Sequence, residues 1–174
     1  NSGNRQEHGN MQYRLRAPIL VTMVLMPFFL FQLVMPWRHL LYPGGVCWTE
    51  EGYRFAWNIM LMEKNGHVEM TAKNPLTGKS WLILPAEHLT PLQEKQMSTQ
   101  PDMILQFAHY MAKIYEKQGL KNIEIRADAY VALNGKGGRS LIDPTIDLTK
   151  QEENLYHKTW ILPYEQQVMH VLND

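Results

Sequence analysis

With 174 residues, 45% hydrophobic and 20% charged, the chain is long enough for one ordinary domain and too short for two, and it is not a disordered tail. Lys plus Arg number 17 and Asp plus Glu 17, so there is no net field to gather nucleic acid or another acidic polymer. One cysteine, Cys47, excludes an intramolecular disulfide and a cysteine zinc site, leaving packing or a partner to hold the fold.

In chain order, the first ten residues, NSGNRQEHGN, read as a loop or disordered segment. Residues 17–37, APILVTMVLMPFFLFQLVMPW, carry no charge between Arg16 and Arg38. As a helix they would extend about 32 Å and match a bilayer core, so the expectation is a transmembrane helix. Gln32, Pro27 and Pro36 count against it, but Pro27 inside the helix implies packing against other membrane helices, because a proline frees a carbonyl that lipid cannot satisfy. A signal peptide would end at small residues, whereas this stretch ends at Pro36, Trp37, Arg38 and His39. A buried core helix of a soluble domain is the third reading, and it predicts purification without detergent. Arg5, Arg14 and Arg16 precede the span, whereas Arg38 is soon followed by Glu50 and Glu51. The positive-inside bias therefore places the N-terminus in the cytoplasm and the globular part outside or in a lumen.

After the span, Tyr53, Phe55, Trp57, Ile59 and Leu61 alternate with Arg54, Ala56, Asn58, Met60 and Met62, the period of a strand. Lys64-Asn65-Gly66 suggests a tight turn, His67 to Ala72 a partner strand, and Ser80 to Leu84 a third, together an antiparallel meander. Leu89 to Ser98 is weakly helical. A firmer helix is expected from about Pro101 to Gln118, with Ile104, Phe107, Ala108, Met111, Ile114 and Tyr115 on one face. Thr99, Asp102 and Pro101 are its start signals and Gly119 its stop. Ile123 to Leu133 alternates again, and NGKGG turns it into a short strand around Arg139 to Ile142. The order implies an α+β domain: one transmembrane helix, then an antiparallel sheet with one main helix packed on it. The polar tail around TKQEENLYHK is expected to wrap the surface as coil. The organisation is thus 1–16 cytoplasmic or loop, 17–37 transmembrane, and 38–174 an extracytoplasmic domain.

Motifs for chemistry are sparse. The histidines, at 8, 39, 67, 88, 109, 157 and 170, include no pair at the i, i+4 spacing of a zinc hydrolase, and no metal is expected. Gly78-Lys79-Ser80 lacks the earlier glycine of a phosphate loop, since Lys73 stands there. NGKGG lacks dinucleotide-binding spacing, and no serine sits in a G-x-S-x-G elbow. What stands out is the cluster beyond the membrane exit: Trp37, Arg38, His39, Tyr42, Trp48, Glu50, Glu51, Tyr53, Arg54 and Trp57. Two readings stay open. One is an interfacial aromatic belt leading into a packed strand. The other is a pocket at the membrane edge where Arg54, Arg38 or His39 holds an acidic group or steers a proton.

The run HLLYPGGVCWTEEGYRFAWNIMLMEK, His39 to Lys64, resembles the segment joining the last membrane helix to the lumenal domain in the vitamin K-dependent gamma-glutamyl carboxylase family. DPTIDL, residues 143–148, resembles a second segment of that domain, and the likeness extends from Ala17 to about Pro163. The resemblance implies an integral membrane enzyme that epoxidises reduced vitamin K, or a related quinol, while carboxylating glutamate in a peptide or protein. Tyr53 and Trp57 match the family's aromatic positions associated with the substrate glutamate, and His39 a histidine after the last helix. With Arg54, these are the candidate substrate-binding residues. Asp143 and Asp147 match a family motif but, beside Pro144, are expected to fix a turn. The lysine thought to deprotonate the quinol belongs to other membrane helices. The chain is therefore expected to be a fragment without catalytic residues of its own, inactive alone and partnered by the bilayer and those helices. The short lumenal part and the lack of an N-x-[ST] sequon suggest a bacterial relative. The alternative function is a membrane-anchored, non-catalytic binding module of the same architecture.

Overall fold

The computed structural model describes residues 3–54, 56 and 62–164, with side chains from residue 18 onward. Helix α1 (Gly3–Val34) runs into a 3-10 turn at Met35–Leu41. Within Pro18–Leu41 an 18-residue window has a mean hydropathy of 2.2, and none of that window is buried by the rest of the described residues. The helix also begins earlier than the apolar run, at Gly3, where the sequence suggested a loop. Residues 11–17 are mostly good helix formers, which lets the helix propagate upstream of the span.

The domain beyond is α+β. A four-stranded antiparallel sheet has the order β2-β1-β3-β4, from β1 (Lys64–Lys73), β2 (Ser80–Ile83), β3 (Glu124–Leu133) and β4 (Arg139–Ser140). The helices of this part are α2 (Val46–Thr49), α3 (Pro91–Met97) and α4 (Pro101–Lys117). Alternation in β1 buries Val68, Met70 and Ala72 on one face, and in β3 it buries Ile125, Ala127, Ala129 and Val131. Against them α4 lays Ile104, Leu105, Phe107, Ala108 and Met111. The small Ala72, Ala127 and Ala129 let the helix approach the sheet closely, and loss of any large residue here would leave a cavity.

Several local expectations change. Of the expected strand Tyr53–Leu61, the described beginning is turn: the Tyr53 amide donates to the Glu50 carbonyl at 3.1 Å and the Ala56 amide to Tyr53 at 3.0 Å. Positive φ at Glu50 (59°) and Gly52 (71°) coils this segment, while Phe55 and residues 57–61, including Trp57, lie outside the described residues. Lys64-Asn65-Gly66 is not a turn but the start of β1, paired with Leu133, Ala132 and Val131 of β3. Glycine is needed there for proximity: a Cβ on Gly66 would sit 2.8 Å from Val131 Cγ2 and 3.0 Å from the Tyr130 carbonyl oxygen. β1 therefore joins a sequence-distant strand as well as its hairpin partner.

The capping box falls one helix earlier than expected, at Thr90 and Gln93 of α3, whereas α4 starts from Gln100 without a side-chain cap. NPLTGK is a hairpin turn in which the Asn74 side chain accepts from the Leu76 amide at 2.9 Å, and NGKGG turns with positive φ at Asn134 and Gly135. The tail does run as coil over the surface, but Trp160 and Ile161 plunge into the core, and Ile161 bridges Ile142.

Candidate functional site

The segment following the apolar helix, the start of α4 and the tail meet around a cleft of about 90 Å³. Its walls are Arg38 and Tyr42 from that segment, Glu50 to Gly52 and Arg54 from the turn after α2, Pro101 and Asp102 from α4, and residues 153–156 and 158 from the tail. The W-T-E-E-G run builds this junction residue by residue. Trp48 is buried and its indole N–H donates to the Leu162 carbonyl at 2.7 Å, tying this segment to the tail. Tyr164 packs edge-on against the same indole, with ring centres 5.0 Å apart.

Glu50 reaches into the sheet, its carboxylate 2.7 Å from Lys64 Nζ, and that ammonium also donates to the Trp48 carbonyl at 2.7 Å. Burial, the largest influence on both groups, pushes the Glu50 carboxyl up and the Lys64 ammonium down, and each is opposed by the other's charge. Glu51, with a side chain 2% exposed, accepts from the Lys158 amide at 2.6 Å and from His157 Nδ1 at 2.9 Å. Gly52 follows because nothing larger fits: a Cβ there would lie 2.8 Å from the His39 Cα, and its φ is positive.

The sequence-derived site residues have different positions. Arg54 lines the cleft and is ion-paired with Asp102 at the start of α4. His39 is half-buried behind the cleft, its Nδ1 donating to the Pro36 carbonyl at 2.7 Å. Tyr53 is half-buried in the turn next to Arg54, and Trp57 is outside the described residues. The tail residues Glu153, Tyr156 and Lys158 line the cleft without any sequence signal for it, since ENLYHK has no period. Only the apolar pair Trp160-Ile161 hinted that the tail is anchored.

Charge around the cleft is nearly matched. Arg54 meets Asp102, Lys158 meets Glu153 at 2.7 Å, and Glu50 meets Lys64. Among the described residues Arg38 has no ion-pair partner, and its Nε is buried with nothing accepting from it. A buried donor left unmade costs about 1–3 kcal/mol, and Nε is enclosed by protein; it is the part of the guanidinium lining the cleft that is placed to meet an incoming oxyanion. Its planar fork matches a carboxylate.

The DPTIDL segment is structural. Asp143 Oδ1 accepts from the Thr145 amide at 2.9 Å and hydroxyl at 2.6 Å, and these bonds hold its carboxyl below the usual range. Asp147 caps the 3-10 turn Leu148–Lys150, accepting on Oδ1 from the Thr149 amide (3.1 Å) and hydroxyl (2.8 Å) and from the Ile125 amide of β3 (3.1 Å). Burial pushes the Asp147 carboxyl up, but those bonds and Lys150 together outweigh it and hold it below the usual range. His109 of α4 donates to the Leu148 carbonyl at 3.1 Å, so this turn also fastens the helix.

A family model described as the vitamin K-dependent gamma-carboxylase, lumenal domain, matches residues 17–167. No solved structure matches the chain.

Proposed function

From the premise that the chain belongs to the vitamin K-dependent gamma-carboxylase lumenal-domain family, we propose that it serves glutamate carboxylation at a membrane edge, coupled to quinol epoxidation. The apolar helix and the lumenal-domain family fit a membrane protein with an extracytoplasmic domain. In this reading residues 17–37 cross the bilayer with the N-terminus in the cytoplasm, and residues 38–174 lie outside or in a lumen. Pro27 inside a helix that none of the described residues buries supports packing against further membrane helices, which would also supply the base.

The single observation that carries the reading is the unmatched Arg38 in a small, charge-lined cleft where the chain leaves the apolar helix. Such a cleft takes the carboxylate of a glutamate-containing peptide arriving from the aqueous side, with Arg38 as its holder and Arg54 beside it. Tyr53, Trp57 and His39 remain the family-matched residues nearest that position in sequence. The cleft does not fit a quinol: its lining is charged and its volume suits a carboxylate rather than an aromatic ring with an apolar tail. No quinol step is therefore assigned to these side chains. The reacting centre would have to be kept from water, because a glutamate γ-proton is too weakly acidic for an ordinary side-chain base.

The test is the full-length protein in lipid with reduced vitamin K, carbon dioxide and a glutamate peptide, following epoxide and fixed carbon dioxide separately. Formation of both supports the proposal. Peptide binding with neither product identifies a non-catalytic binding module instead.

A further inference from the structure

We propose that the tail loop at Asn154–Tyr156 is a second membrane contact, seated in the headgroup region of the same bilayer that α1 crosses. This rests on the membrane-span reading above and adds a surface to it. Leu155 is 70% exposed and Tyr156 80% exposed, whereas further along the tail Trp160 and Ile161 are buried and Leu162 and Tyr164 partly buried. The loop's position is fixed by the membrane exit, because the Tyr42 hydroxyl donates to the Leu155 carbonyl at 2.6 Å. Tyr42 directly follows the apolar stretch Pro18–Leu41, whose last turn leaves Trp37 65%, Leu40 64% and Leu41 82% exposed.

The α-helical part Pro18–Val34 covers about 26 Å and the 3-10 part Met35–Leu41 about 14 Å more, together longer than a hydrocarbon core, so Leu41 and Tyr42 fall at the interface. A loop bonded to Tyr42 lies at the same depth. Leu155 and Tyr156 therefore continue the apolar surface of the span sideways onto the globular domain. A leucine beside a tyrosine suits this depth: the aliphatic side chain reaches toward the acyl chains and the phenol keeps its hydroxyl among the headgroups. Two contacts, the helix and the loop, fix the tilt of the domain. The cleft, walled by Arg38 on one side and Tyr156 on the other, is then held beside the bilayer surface.

The experiment places an environment-sensitive fluorophore on Tyr156→Cys in a Cys47→Ser background of the full chain, reconstituted in phosphatidylcholine vesicles. Val24→Cys marks the span and Leu76→Cys, at the exposed β1–β2 turn, marks water. The expected result is quenching of the 156 label by shallow spin-labelled lipid and little quenching by aqueous iodide, with the 76 label behaving oppositely. Iodide quenching at 156 with the 24 label still lipid-quenched overturns the loop contact and leaves the span intact. Iodide quenching at both 156 and 24 overturns the span reading as well. Protection of 156 from both quenchers means that protein covers the loop, a second copy or a peptide, and this also overturns the proposal. A repeat with Leu155→Cys shows whether any outcome is peculiar to one side chain.

Discussion

The Glu50–Lys64 pair offers the sharpest test of how the segment after the apolar helix is fastened to the sheet. The side chains are 14% and 4% exposed, and Lys64 Nζ lies 2.7 Å from both Glu50 Oε1 and the Trp48 carbonyl oxygen. Removing the cation with Lys64→Met leaves a buried carboxylate without its counter-charge, which costs about 3–5 kcal/mol. That is a large fraction of the stability of a domain and lowers Tm by roughly 10 °C or more. Replacing both residues, Glu50→Gln with Lys64→Met, removes the stranded charge and restores at least half of the loss. Urea unfolding of the full chain in detergent, followed by tryptophan emission with Trp48 against the pair, measures all four corners of the cycle. The pH dependence supplies a second signature. Burial already raises the Glu50 carboxyl, and without Lys64 it rises further. A carboxyl raised in the folded state binds its proton more tightly there than in the unfolded chain, so acidification below neutrality stabilises Lys64→Met relative to its value at pH 8. Additive losses in the cycle, or a single variant indifferent to pH between 8 and 5, would refute this reasoning.

Asp147→Ala removes the cap of the 3-10 turn and the acceptor of the Ile125 amide, and should cost about 1–3 kcal/mol at pH 7. Because the native carboxyl is held low, its contribution is present above the unfolded value near 3.9 and is lost as pH falls through the native one, so wild type and variant converge in acid unfolding. A gap that persists unchanged at the lowest pH contradicts the account of Asp147. Two glycines test packing against mere proximity. Gly66→Ala should cost about 1–3 kcal/mol in chemical denaturation, because its Cβ would meet the β3 backbone and a buried valine. Gly138→Ala should cost clearly less although its Cβ would fall 2.3 Å from the Tyr130 ring, since Tyr130 is exposed and free to swing away. The reverse ranking would show that strand pairing is looser than the register indicates.

Long apolar or alternating runs were legible from sequence because their period is set locally. The apolar helix, α4 with its buried stripe and β3 all follow from residue spacing alone. The turn from Glu50 to Arg54 was not, because Tyr53 and Arg54 open a run that alternates like a strand while Glu50 and Gly52, in positive φ, coil its described beginning. Asn65-Gly66 carried a true glycine signal for the wrong cause: the missing side chain makes room for β3, a strand far away in sequence. In the site, Arg38 and Arg54 could be picked out by their place beyond the span, since charge next to an apolar run is itself a local pattern. The opposite wall could not, because Tyr156 and Lys158 reach the cleft only through Glu51, Tyr42 and the burial of Trp160. Contacts of that separation leave no mark in either chain segment.

The most direct measurement is the affinity of the protein in lipid nanodiscs for a glutamate-containing peptide, with and without Arg38→Gln. Loss of a charge-assisted hydrogen-bond partner is worth about 1.5–3 kcal/mol, so the variant is predicted to bind roughly 10- to 100-fold more weakly, with unchanged affinity for the same peptide carrying glutamine. Equal binding of the glutamate peptide by both proteins would contradict the assignment of the cleft.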